Sequence, residues 1–130
     1  KALSSDVTAA MNPVYKSVHD IENVARLSYG LAFAKYTGSR GKSMANDADA
    51  EFIQEIRQIF DKNEIKYQSG GFGKVDEGGG GTVAKFLAYY GIRTIDAGPA
   101  LLSMHSLFEI SSKADLYETY RAYKVFFELN

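Results

Sequence analysis

Short apolar stretches alternate with stretches of helical periodicity along this chain, and that alternation constrains its fold more than any other feature. We predict strands at residues 2–8, within 27–36, at 65–68 and at 92–95. Between and after these strands, apolar residues recur at spacings of three and four, which indicates helices. The resulting order, β-β-α-β-α-β-α, predicts an α/β domain in which helices pack on a sheet.

Three helices follow from this periodicity. The first is expected to start after a cap at Asn46 or Asp47 and to end at Asn63. The second follows a glycine-rich loop. Ser112 and Asp115 have the spacing of a capping box at the start of the third. The apolar positions are Phe52, Ile53, Ile56, Ile59 and Phe60 in the first helix, Val83, Phe86, Leu87 and Tyr90 in the second, and Leu116, Tyr120, Tyr123 and Phe127 in the third. For the third helix alone, we expect this apolar face in the core or in a subunit interface.

Composition excludes several classes of protein. The 130 residues suffice for a core, and the net charge of −1 with scattered Lys and Arg predicts neither a nucleic-acid partner nor a membrane surface. No apolar run approaches the ~20 residues that span a bilayer. The sequence contains no cysteine, which excludes disulfides and thiolate chemistry and fits a cytoplasmic location. Because Lys1 is not an initiator Met, we expect residues 1–130 to be a single partial domain of a longer protein.

Two residues that can bind a metal follow predicted strands. Asp6 stands at the end of the first strand, among small residues, and His105 follows Gly98-Pro99, a pair expected to end the strand at 92–95. The ends of central strands are where α/β proteins bind ligands. Carboxylate and imidazole are both zinc ligands, but a catalytic zinc keeps three protein ligands and an open position. Alternatively, Asp6 caps the following turn and His105 bonds to backbone in its loop.

The glycine-rich stretch from Gly70 to Thr82, with four consecutive glycines from Gly78, permits several interpretations. Its backbone N–H groups before a helix can bind phosphate, although the Gly-Lys-Ser/Thr ending of a Walker loop is missing and a nucleotide-binding domain is a minor alternative. The loop can also approach the backbone of a peptide substrate closely, or serve as a flexible connection. His19 and the polar turn 37–42 are expected to have no catalytic role.

Three stretches resemble the zinc metallopeptidases of the aminopeptidase I and aspartyl aminopeptidase family, in its bacterial branch. They are SSDVTAAMNP, AKYTGSRGKSMAND and GGGGTVAKFLAYYGIRTIDAGPALLSMHSLFEISSKADLYETYRAYKVFF. The resemblance depends on Asp6 in a Ser-x-Asp-Val context, the four-glycine loop, and Met104-His105-Ser106 with Glu109 four residues after the histidine. It implies a three-layer α/β/α sandwich with a mixed sheet, in which this chain is the C-terminal portion of a dinuclear zinc-peptidase domain.

The resemblance also implies roles for individual residues. Asp6 matches a ligand of one zinc ion, and His105 matches a terminal histidine ligand. Glu109 is a candidate acceptor for the second ring nitrogen of that histidine. The positions expected to contact substrate are Lys35, Gly80, Gly81 and Met104. No catalytic residue is expected in this chain, since the general-base Glu and the other zinc ligands of the family lie earlier in the sequence.

By this resemblance, the complete protein is a zinc-dependent aminopeptidase that releases N-terminal amino acids from peptides with two zinc ions. Homo-oligomers are expected, and the 130-residue piece alone is expected to be inactive. Ala9 and Asn12 stand near positions where the eukaryotic aspartyl branch has histidines, which argues against a strict preference for acidic N-terminal residues. The alternative function is a non-catalytic binding or assembly module that holds an anion in the glycine loop.

Overall fold

A computed structural model describes residues 1–39, 43–71, 73, 74 and 77–129. The strands are β1 (Ala2–Ser4), β2 (Thr8–Ala9), β3 (Leu31–Ala34), β4 (Tyr36–Ser39), β5 (Ser43–Asp47), β6 (Tyr67–Ser69), β7 (Thr94–Gly98), β8 (Ala100–Leu102) and β9 (Ile110–Ser111). The helices are α1 (Ala50–Lys62), α2 (Ala84–Tyr89) and α3 (Lys113–Leu129), with a 3-10 turn at Lys16–Val18. No helix in the described part of the chain is long and apolar enough to cross a membrane.

The strands form a mixed main sheet, a smaller sheet and a hairpin. In the main sheet the order is β1-β7-β3-β6, with β7 and β3 antiparallel and the other neighbours parallel. In the smaller sheet β8 pairs in parallel with β2 and antiparallel with β9. The hairpin consists of β4 and β5. The predicted α/β fold with a mixed sheet is therefore confirmed.

Two strands of the main sheet continue into the smaller one. β1 is followed by β2, and β7 is followed after Pro99 by β8. The prediction that Gly98-Pro99 ends the strand is therefore confirmed, but the next element is a strand of the smaller sheet rather than a loop. Pro99 has no N–H to donate, but its carbonyl accepts the N–H of Thr8 at 3.2 Å, so the pairing of the two chain segments resumes directly beyond it.

The core depends on the alternation of side chains along β3. All four of its residues are buried, because both faces of the strand are covered. Leu31 and Phe33 pack in the main core against α1 and α3, while Ala32 belongs to a small cluster with Ala10 and Ala25. Large side chains thus fill the helix-covered face, and alanines on the other face let the segment around residues 10–25 approach closely.

Helix α1 confirms the periodicity and corrects its cap. Phe52, Ile56 and Phe60 are completely buried, as expected for one face of a helix. The helix ends at Asn63, as predicted, but its cap is Asp49, whose carboxylate accepts the N–H of Phe52 at 2.8 Å. The predicted caps are wrong because Asn46 and Asp47 belong to β5 and pair with β4.

Helix α3 differs from its prediction in both its start and its buried face. Asp115 does not complete a capping box. Its buried carboxylate instead accepts the N–H groups of Ser28 and Gly30, which precede β3. Ala122 and Phe126 face the main core. Of the four predicted core positions, Tyr123 is partly buried, whereas the other three are exposed: Leu116, Tyr120 and Phe127. Their predicted place in the core is wrong, and their place in a subunit interface stays a prediction.

Helix α2 and strand β4 also differ from their predictions. The predicted helix after the glycine loop is present as α2, but it buries only Ala84, and of its predicted apolar face Leu87 is half-buried and Val83, Phe86 and Tyr90 are exposed. Residues 37–39 of the predicted polar turn belong to β4, and the rest of that turn, 40–42, lies outside the described residues. For the helix the reason is that aromatic residues at helical spacing do not reveal which surface covers them.

Candidate metal and substrate site

Asp6 lies at the junction between the two sheets. It follows β1, next to the carboxyl end of β7, and a Cβ on Gly98 would overlap the backbone carbonyl of Asp6. Only glycine permits this approach of the two backbones. The Oδ1 atom of Asp6 accepts the N–H of Val7 at 2.9 Å, as a turn-forming aspartate does, and this bond fixes the direction of the carboxylate.

His105 lies in a tight turn after β8. Ser103 and His105 both have positive φ, 57° and 67°, and the Ser106 N–H donates to the Ser103 carbonyl at 3.0 Å. Such conformations cost non-glycine residues ~1 kcal/mol or more and often mark functional turns. The Glu109 carboxylate accepts the backbone N–H of His105 at 2.5 Å. The structure thus places Glu109 at the loop backbone, which differs from its predicted bond to the ring nitrogen.

The two candidate ligands follow strands of different sheets. Asp6 lies at the edge of the main sheet, whereas His105 follows the smaller sheet, three residues beyond the end of β8. Among the residues that the structure describes, no three His, Asp or Glu side chains gather closely enough to hold a metal ion. A complete zinc site would therefore need ligands besides Asp6 and His105.

Lys35 lines a cavity at the carboxyl ends of β3 and β6. The cavity has a volume of about 590 Å³, and its wall includes Lys35, Arg57, Gln68 and Gly70. The Lys35 ammonium forms an ion pair with Asp47 of the hairpin, so it is oriented but still largely exposed. The sequence analysis did not single out Arg57 or Gln68, because an exposed helical arginine and a strand glutamine carry no local signal of a cavity.

The glycine loop contacts the hairpin through its backbone. The Gly80 carbonyl accepts the N–H of Gly38 at 2.9 Å. A Cβ at Gly78 or Gly80 would meet no described atom within 4 Å, whereas one at Gly81 would approach the Lys85 ammonium. Packing among the described residues therefore does not require glycine at 78 and 80, and the open space beside them is available to another chain.

Asp96, which the sequence analysis did not single out, is buried in β7 beside this loop. Its Oδ2 atom accepts the hydroxyl of Thr82 at 2.6 Å. Burial raises the pKa of Asp96, hydrogen bonds from Ser4 and Thr82 oppose this rise, and the charge of nearby Asp6 adds to it. The available signal was an acidic residue inside an otherwise apolar strand.

Met104 lines a second cavity, of about 330 Å³, next to the His105 turn. Ala9, Asn12 and His19 contribute to its wall. His19 is buried, its Nε2 atom accepts the N–H of Asn12 at 3.1 Å, and burial lowers its pKa. Its place beside Met104 could not be read from the sequence, where the two residues are far apart, and its lack of a catalytic role stays a prediction.

Comparisons with known proteins identify the family. The sequence model described as aminopeptidase I zinc metalloprotease (M18) matches residues 1–127. The chain belongs to the M18 family. It is 61% identical over 128 residues to the probable M18 family aminopeptidase 1 of Borreliella afzelii, which covers 98% of this chain and 28% of that relative. The placement of this chain in the C-terminal part of such longer proteins stays a prediction.

Solved structures of M18 aminopeptidases share the fold. A crystal structure from Thermotoga maritima superposes with a TM-score of 0.91 at 57% identity, covering 95% of this chain and 27% of that one. The mApe1 dodecamer of S. cerevisiae matches at 23% identity with a TM-score of 0.73, covering 97% of this chain and 26% of that one, a likeness of fold alone.

The donors that this M18 chain supplies are compatible with the zinc in the family's description. Asp6 offers a carboxylate oxygen and His105 an imidazole nitrogen, both typical zinc donors. The imidazole belongs to an exposed residue, and its loop is held by Glu109, so the ring can reach a metal without disrupting the core. The residues present therefore fit part of a zinc site, with further ligands required.

Three features bear on the alternative of an anion in the glycine loop. Helix α2 has only six residues, so its dipole is short, and its cap residue, Val83, offers no side-chain hydrogen bond. The Thr82 hydroxyl already donates to Asp96, whereas the Lys85 ammonium lies near Gly81 and would attract an anion. The anion and the backbone of a peptide therefore both stay predictions for this loop.

Proposed function

We propose that this chain forms part of a zinc-dependent aminopeptidase that releases N-terminal amino acids from peptides at a site with two zinc ions. The observation that supports the proposal is the family match over residues 1–127, which includes Asp6, His105 and each candidate substrate residue. Since the chain spans 28% of the length of its Borreliella relative, the general base and the other ligands belong to the remainder of the polypeptide.

Zinc, when bound, supplies positive charge that polarises the scissile carbonyl and activates water near neutral pH. The residues of this chain hold and orient it. Asp6 donates a carboxylate oxygen, with its direction fixed by the bond to Val7. His105 would bind through an imidazole nitrogen, and Glu109 fixes the backbone from which that ring projects.

The candidate substrate residues would contact a peptide through exposed backbone or through side chains that line the two cavities. Gly80 and Gly81 present backbone without side chains, so a peptide can pack directly against them. Lys35, oriented by Asp47, offers a positive charge at the rim of the larger cavity. Met104 offers a polarisable apolar surface beside His105, suited to an uncharged side chain of the substrate.

The assembly and location of the enzyme form part of the same proposal. We propose a homo-oligomer, supported by the exposed aromatic residues of α3 and by the fold shared with an aminopeptidase that forms a dodecamer. A cytoplasmic location is supported only by the absence of cysteine from the 130 residues.

The test uses the complete polypeptide that contains this chain. Asp6→Ala and His105→Ala are each expected to abolish hydrolysis of aminoacyl p-nitroanilides and to lower the zinc content of the purified protein, because each removes one ligand. The matched control is Asp61→Asn, which alters an exposed carboxylate on α1 and should leave zinc content and activity unchanged.

Normal activity with a full zinc content in either ligand variant would refute the assignment of that residue. An inactive wild-type polypeptide that nevertheless binds zinc would refute the aminopeptidase activity itself. The 130-residue piece assayed alone with added zinc is expected to show no turnover, because it contains two ligands and no general base.

A further inference from the structure

The glycine loop is attached to the main sheet by one buried hydrogen bond between side chains. Thr82 immediately follows the four glycines from Gly78 to Gly81, and its hydroxyl donates to Asp96 of β7 at 2.6 Å. Both residues are almost completely buried, with 6% and 2% of their surface exposed. The loop therefore ends at an anchor on the strand that contacts Asp6.

The strand end of this anchor is itself firmly held. Asp96 pairs in register with Ser4 of β1, two residues before Asp6, and with Ala34 of β3, one residue before Lys35. On the next residue of β7, the Ala97 carbonyl accepts the hydroxyl of Tyr123 from α3 at 2.8 Å. Asp96 is thus a fixed point between a candidate zinc ligand and a candidate substrate residue.

The loop needs such an anchor because consecutive glycines restrict the backbone least. Glycine loses more conformational freedom on ordering than any other residue, and a Cβ at Gly78 or Gly80 would find nothing to pack on among the described residues. Two backbone hydrogen bonds of these glycines, from Gly38 to Gly80 and from Gly78 to Lys74, join them to the hairpin and to the preceding segment rather than to the main sheet. At the other end of the glycine-rich stretch, the Gly70 N–H donates to the Phe33 carbonyl of β3 at 2.7 Å, and the Thr82 hydroxyl fixes the end that follows the four glycines.

We propose that Thr82 and Asp96 are positioning residues that hold the glycine loop in the conformation required for peptide substrate. The inference rests on the proposed aminopeptidase function for its consequence in catalysis. Its structural part, the ordering of the loop by this bond, does not depend on activity. Because a pre-ordered loop contacts substrate before and during the reaction alike, the bond lowers KM and leaves kcat nearly unchanged.

The experiment replaces Thr82 in the complete polypeptide. Thr82→Val keeps the shape of the side chain but removes its hydroxyl, and it is expected to raise KM about 10-fold with kcat changed less than about 2-fold. Amide hydrogen exchange of the segment 78–82 should become faster. Thr82→Ser keeps the hydroxyl and is expected to retain the wild-type KM and the slow exchange of the wild type.

The matched control is Thr94→Val. Thr94 is also buried in β7, but its hydroxyl donates to the Ile92 carbonyl at 2.9 Å and not to the loop. This variant makes the same chemical change two residues from Asp96, and it should leave KM and the exchange of the loop unchanged.

Wild-type KM and wild-type exchange in Thr82→Val would overturn the proposal. It is also overturned if Thr82→Val and Thr94→Val lose activity equally, or if Thr82→Ser fails to restore KM, since the threonine would then serve only general stability. If the wild-type polypeptide has no peptidase activity, the proposed function fails, and the exchange rates alone then decide whether the bond orders the loop.

Discussion

Replacement of Asp115 by Ala should destabilise the fold strongly, although the residue is not one of the candidate ligands or substrate residues. Its carboxylate is completely buried and accepts two backbone N–H groups, from Gly30 at 2.7 Å and from Ser28 at 2.8 Å. Between these bonds the chain makes a strained turn, with φ of 69° at Ser28 and 96° at Gly30. The turn leads directly into β3, so its loss would disturb the centre of the main sheet.

The magnitude follows from the two bonds. A hydrogen bond to a charged group contributes about 1.5–3 kcal/mol, and a buried donor without an acceptor carries its full desolvation penalty. The Gly30 bond is buried, whereas Ser28 is exposed and can turn to water. We therefore expect Asp115→Ala to lower the free energy of unfolding by about 4 kcal/mol, and Asp115→Asn, which keeps one acceptor, by about 2 kcal/mol.

Urea unfolding of the complete polypeptide measures these losses, and amide exchange over residues 26–31 shows whether they begin at the turn. Asp61→Ala, which removes an exposed carboxylate, should cost less than about 1 kcal/mol. A loss below about 1 kcal/mol for Asp115→Ala, or unchanged exchange in the turn, would show that the carboxylate does not hold β3 in place.

Two further predictions concern charge and close packing. The hydrogen bond from Arg93 holds the pKa of Asp49 well below its usual 3.8, so the stability that this ion pair contributes is present above that pH and lost as the pH falls further. Asp49→Asn keeps the cap on Phe52 and should destabilise slightly at pH 7 and by less at pH 2, where part of this stability is already lost. The free energy of unfolding of Asp49→Asn and wild type, measured at both pH values and at low and high salt, tests this prediction. An equal loss of stability at pH 7 and pH 2 would contradict it. Gly98→Ala should displace Asp6 and lower the zinc content, whereas Gly80→Ala should retain zinc and raise KM. Zinc analysis and kinetics of the two variants separate these effects. A full zinc content in Gly98→Ala would contradict the predicted displacement of Asp6.

The fold could be predicted from sequence where its cause is local. Helix α1 follows from the spacing of Phe52, Ile56 and Phe60, and its end at Asn63 needs no information from elsewhere in the chain. Helix α3 has equally regular apolar residues, yet Tyr120 and Phe127 are exposed and Phe126 is buried. Periodicity identifies a helix, but an all-round aromatic helix offers several apolar faces, and only packing against β3 and β7 selects one.

The candidate site divides in the same way. Asp6, His105 and the glycine loop were identified as residue types in a specific order, and their roles as ligands and substrate contacts stay predictions. Neither the ion pair of Lys35 with Asp47 nor the place of Glu109 at the backbone of the His105 turn was predicted. The cavities beside Lys35 and Met104 likewise join segments that are distant in the sequence.

The sequence by itself determined the α/β class, the main helices, the family and the chemistry that the candidate residues can perform. Only the tertiary structure decided that Asp96 anchors the glycine loop through Thr82, that Asp115 holds the turn before β3, and that β8, a strand of a second sheet, follows Pro99. The physical reason is the distance along the sequence over which each interaction acts. Helix periodicity and turn chemistry act between near neighbours, whereas a buried carboxylate selects its donors from any segment that the sheet brings within hydrogen-bonding distance.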